Sequence, residues 1–128
     1  MKLQGRILLF DEVNLTNNIF SASCDITIPE TVPLTFDFKH DKIIGFAKAT
    51  IDDIGITFIS GTLSNDMIGV DDLRSILENR KIGVGGYYNN IKYHEDGNFK
   101  IIDKARLCQI ALVPDPVRAE YYCEIVDE

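Results

Sequence analysis

The sequence predicts an α+β domain: a mainly antiparallel, barrel-like sheet with one or two short helices packed on it. Three observations predict it. Most of the chain consists of β-rich runs in which apolar and polar residues alternate with period two. Short turns rich in Asp, Gly and Pro separate these runs. One segment, residues 70–79, instead repeats its apolar residues at helical spacing.

The elements follow in order. Gly5–Phe10 is a first strand. In Ile19–Ile28, the residues Phe20, Ala22, Cys24, Ile26 and Ile28 share one face and Ser21, Ser23, Asp25 and Thr27 the other. Pro29 and Pro33 bracket a turn, and Leu34–Phe38 resumes the alternation up to Lys39, His40 and Asp41. Ile43–Ile51 and Ile56–Leu63 flank Asp52–Gly55, the arrangement of an antiparallel hairpin. In Val70–Asn79, Val70, Leu73, Ile76 and Leu77 form a helical stripe, with Asp71 and Asp72 where the helix dipole favours carboxylates. Lys81–Tyr88 holds three glycines in four positions, a density that calls for a bulge, a left-handed turn or close approach of another group. Asn90–Tyr93 and Phe99–Ile102 flank a second turn at Asp96-Gly97. Ala105–Val113 is the most apolar strand of the C-terminal half, and Arg118–Val126 is an amphipathic tail, strand or short helix.

The chain is 128 residues long, the size of one domain spanning 1–128. A net charge of −7 with scattered Lys and Arg argues against a phosphate-tracking surface, so no nucleic-acid partner is expected. No run of apolar residues is long enough to span a bilayer, and the N-terminus lacks the features of a signal peptide. Cys24, Cys108 and Cys123 are odd in number and widely spaced, which speaks against a disulfide framework or a zinc knuckle. His40 and His94 show no metal-ligand spacing, and no cofactor or metal is expected. The Gly83–Gly86 stretch follows a helical segment and enters a strand, the reverse of a phosphate loop.

Three stretches together resemble the prohead (capsid maturation) proteases of tailed bacteriophages, serine peptidases related to the herpesvirus assemblin fold. In Pro33–Ala47, an apolar strand runs into His40 and then Ile44-Gly45-Phe46-Ala47. In Ile82–Tyr87, Gly86-Tyr87 matches the family's Gly-aromatic pair. Leu107–Pro116 is similar to the family's Glu-Ile-Ser-Leu-Val followed by proline. The resemblance covers about Pro33 to Pro116. It implies that His40 stands where the family has its general base. The serine nucleophile's place falls on Val84, which has no nucleophilic atom, and Gln109 and Ala111 stand where the family has glutamate and serine. A serine peptidase needs a hydroxyl within reach of the imidazole.

The expected function is therefore that of a non-catalytic virion protein, a structural or auxiliary capsid component. Its partners would be the major capsid protein, other virion proteins or further copies of itself. It would reside in the virion, and in the host cytoplasm during assembly. The first alternative is an active peptidase that processes capsid or scaffold protein, with His40 as base and Ser60 or Ser64 as a relocated nucleophile. The second is a small β-barrel binding module unrelated to phage. For His40 the ordinary reading is a strand-end histidine bonded to Asp41 or water. For Ser64 it is a cap or turn residue, and for Cys108 a core thiol. In Tyr87-Tyr88 and Tyr121-Tyr122, one member of each pair is expected to face the core and the other solvent.

Overall fold

The computed structural model describes residues 2–14, 17–36, 43–61, 63, 83–113 and 121–126. Eight strands run through them: β1 (Lys2–Leu9), β2 (Asn18–Thr27), β3 (Val32–Phe36), β4 (Ile43–Ile51), β5 (Gly55–Ser60), β6 (Gly83–Asp96), β7 (Phe99–Val113) and β8 (Tyr122–Val126). The strand spans expected from alternation fall close to these. Asn90–Tyr93 proves to be the distal part of a strand that begins in the glycine stretch, and Phe99–Ile102 and Ala105–Val113 are one strand.

The expected α+β class is overturned. Among the described residues there is no helix, and the fold is all-β with an open, mixed sheet. The helix expected over 70–79 lies outside the described residues. Nor is the sheet built from hairpins alone. The strand order is β2-β7-β3-β4-β5-β1-β8, with β6 on the other edge of β7. One edge of β7 is shared by two parallel neighbours. β2 takes its first half, with Asn18 opposite Lys100, and β3 takes its last residues, with Leu34 opposite Ile110. The sheet curls until β6 comes near β1 and β8 without pairing to them.

The described strands of the curled sheet share one hydrophobic core. Leu3 and Ile7 of β1, Leu34 of β3, Ile56 of β5, Val84 of β6, and Ile110 and Leu112 of β7 all lie in one buried cluster. Each such side chain contributes about 1.5–3 kcal/mol by leaving water. Strands from both ends of the sheet order thus meet in one core.

Two glycines have specific tasks. Gly97 takes a left-handed φ of 64° in the β6–β7 turn. Gly86 gives up its side-chain space to Tyr88: a Cβ there would lie 2.6 Å from the Tyr88 hydroxyl oxygen. The tyrosine ring folds back over the glycine two residues earlier and packs against Phe20, with ring centres 4.8 Å apart. Close approach is therefore the outcome at Gly86, one of the three possibilities raised by the glycine density.

Candidate functional site

β3 leads toward His40, but His40 and Ser64 lie outside the described residues. Val84 is opposite Leu112 on β7, and its side chain is fully buried in the hydrophobic cluster. A residue at this place points into the core. The next row across the sheet lies on the other face. It runs through Thr35, Ala111 and Gly85, with Gln109 and Tyr87 one pair further along. There the Thr35 hydroxyl donates to Gln109 Oε1 at 2.7 Å, and both side chains are buried. Burial makes that bond necessary, because each group would otherwise lose its water without a replacement. Ala111 adds no polar atom.

Ser60 is described and its hydroxyl is engaged. It accepts the Leu3 backbone N–H at 2.8 Å and donates to the Gly61 carbonyl at 2.7 Å. It ties β1 to β5 where the side chain is buried. Two of the thiols, Cys24 and Cys123, are weak nucleophile candidates, while Cys108, expected in the core, is only half-buried. Burial, with Asp103 and Asp25 adding to it, pushes Cys24 up to about 11, and burial pushes Cys123 up to about 12, with Glu124 adding to it. Among the described residues, no three His, Cys, Asp or Glu side chains gather in a group suited to a metal ion.

The described surface offers contacts rather than a catalytic cluster. Its most distinctive part is the outer half of the β6–β7 hairpin. From Asn89 to Lys100 every residue is exposed, so this stretch has no covered face. At about 3.3 Å per residue, the Asn89–Asp96 limb is about 25 Å long. The arm nonetheless carries Ile91, Tyr93 (49% exposed) and Phe99. Lys100 Nζ lies 4.7 Å from the centre of the Tyr93 ring. On the other face, His94 Nδ1 lies 2.7 Å from Asp103 Oδ2. Register shifts and a left-handed Asn90 (φ 51°) interrupt the β6 ladder here. Irregularities of this kind, together with lysines, blunt an edge against strand addition. They leave the side chains of the arm as its means of contact.

A second feature lies on the outer face of β4, β5, β1 and β8. A groove of about 310 Å³ is lined by Gln4, Lys48, Thr50, Thr57, Ile59 and Tyr122, among others. Four residues stand in one row across it: Lys48 opposite Ile59, Ile59 opposite Gln4, and Gln4 opposite Glu124. Gln4 Nε2 donates to Glu124 Oε1 at 2.6 Å. At the end of the same sheet, Arg6 grips Asp52 through two bonds of 3.3 and 2.8 Å. That contact holds the Asp52 carboxyl below its ordinary range, helped by the backbone N–H groups of Ile54 and Gly55.

Compared with family models, curated proteins and solved structures, the chain finds no significant match. The tyrosine pairs divide as expected: Tyr87 and Tyr122 are exposed, Tyr121 is buried, and the Tyr88 hydroxyl is buried. The row Lys48–Ile59–Gln4–Glu124 was not anticipated. Alternation shows that Ile59 and Phe58 oppose one another, but both are apolar and neither marks the outer face.

Proposed function

We propose that this chain is a non-catalytic virion protein, a structural or auxiliary capsid component that works through contact surfaces. The observation that carries the reading is the β6–β7 arm, which exposes Ile91, Tyr93 and Phe99 on a limb with no covered face. Exposed aromatics on a blunted hairpin suit protein contact. The burial of Val84 and the engagement of the Ser60 hydroxyl support the non-catalytic part. The phage setting rests on the resemblance in Pro33–Pro116.

Counting the chain in purified virions by quantitative mass spectrometry tests this reading, with many copies per particle expected. Absence from the particle would overturn it, as would stoichiometric labelling of one residue by a serine-reactive fluorophosphonate. A second reading, a binding module outside any virion, is favoured by the groove around Ile59 and Tyr122.

A further inference from the structure

β7 is broken at the same residue along both of its edges. On the β6 side, Tyr93 stands opposite Ile102 and Lys92 opposite Lys104. On the β2 side, Phe20 stands opposite Ile102 and Asp25 opposite Lys104. Asp103 is passed over in both ladders, so regular pairing stops at one level across three strands. We infer that this level is a hinge, about which the outer end of the arm turns as one body. That body consists of Tyr93–Asp96, Phe99–Ile102 and Asn18–Phe20.

The strands on either side of Asp103 have chain to spare, which a hinge needs in order to absorb a change of angle. β2 runs four residues, Ser21–Cys24, past the single Asp103. This length is gathered on itself: the Ser21 and Ser23 hydroxyls lie 2.7 Å apart, and the Ala22 N–H donates to Asp11 Oδ1 at 3.1 Å. β6 has one extra residue between Asn89 and Lys92, and Asn90 there is left-handed. A bulge bends its strand and leaves its extra residue outside the ladder. A change of bend at this level therefore breaks no regular pair.

The same residues supply a pivot and a clasp. Phe20 and Ile102 are buried in the core, and the Phe20 ring packs on Tyr88. They fix the near end of the turning body. Beyond them, Glu95, Asp96, Phe99 and Lys100 are exposed, so turning uncovers no core side chain. The bond of 2.7 Å between His94 Nδ1 and Asp103 Oδ2 joins the turning body to the hinge residue. Both side chains are about half exposed, which keeps this clasp weak and easily released. The hinge sets the angle at which Tyr93 and Phe99 are presented to solvent. This inference goes beyond the virion reading and does not depend on it.

Relaxation dispersion of the backbone amides in the full native chain tests the hinge, because it reads motion on the microsecond-to-millisecond scale. Exchange is expected in Ser21–Cys24, in Asn89–Lys92 and at Asp103, all fitted by one shared rate, with none in Leu107–Val113. His94→Ala is a surface change that releases the clasp. It raises the population of the second angle about twofold to fivefold, the worth of an exposed pair. Absence of exchange from all three segments overturns the inference, and so does exchange at unrelated rates, which would mean separate local motions. A His94→Ala chain whose exchange matches the native chain's overturns the clasp and the hinge residue with it. None of these outcomes bears on copy number in virions, so the virion reading stands or falls separately.

Discussion

The two halves of the β6–β7 hairpin share one ladder yet live in different solvents. At the base, Gln109–Val113 is buried at every position, odd and even alike. In the arm, Asn89–Lys100 is exposed at every position. The ladder runs through both halves, broken only by register shifts between Tyr87 and Tyr93, so pairing alone does not set the difference. What differs is what lies on the two faces. At the base, Ile110 and Leu112 pack into the core and Gln109 is bonded to Thr35. In the arm, Tyr93 has the Lys100 ammonium beside it and His94 has Asp103. The same backbone is thus a core element at one end and a contact element at the other. Stability and association should separate along it.

The strongest way to break this comparison is a pair of truncations. Leu112→Ala empties a fully buried site and should cost about 2–5 kcal/mol in denaturant unfolding. Tyr93→Ala, on the same hairpin, should stay within about 0.5 kcal/mol. Comparable losses from both would mean the arm is part of the core.

A smaller effect tests the join between the halves. The Tyr88 hydroxyl is buried without a hydrogen-bond partner among the described residues, and burial pushes its titration well above the usual phenol range. Tyr88→Phe keeps the ring over Gly86 and removes the stranded oxygen. It should raise stability by about 1 kcal/mol, since an unsatisfied buried hydroxyl is a net cost. A destabilised variant would show that the hydroxyl has a partner in solution.

The smallest effect concerns the groove side. Asp52 titrates below its ordinary 3.8 because Arg6 bonds its charged form. A carboxyl lowered in the folded state adds stability above its unfolded value and loses it as pH falls through the folded one. Unfolding measured against pH should therefore show an acid limb below 3.8 that Asp52→Asn flattens. The carboxyl is open to solvent, so screening keeps the change slight. An unchanged acid limb would mean the Arg6–Asp52 bond adds nothing to stability.

Much of the fold was legible in the residues. Period-two runs located the strands, with Ile43–Ile51 matching β4 at both ends. Asp96-Gly97 marked the hairpin turn because Gly97 must take a positive φ. The glycine stretch was legible as a bulge, a left-handed turn or a close approach, without a choice among them, and not as the start of a 14-residue strand. The candidate surfaces were much less legible. Ile59 and Phe46 look like core residues in sequence, and both are exposed. His40, on which the catalytic alternative turned, lies outside the described residues.

By itself the sequence determined where the chain is extended, where it turns, and which residues share a face. These are local properties of φ, ψ and side-chain alternation. Only the tertiary structure decided that β2 and β3 would lie parallel along one edge of β7, and that residues from β1, β3, β5, β6 and β7 would share one core. It alone decided that the distal half of one hairpin would be left uncovered. Alternation states which side chains point together. Whether anything covers them depends on segments far away in the chain, and on the area that their meeting removes from water.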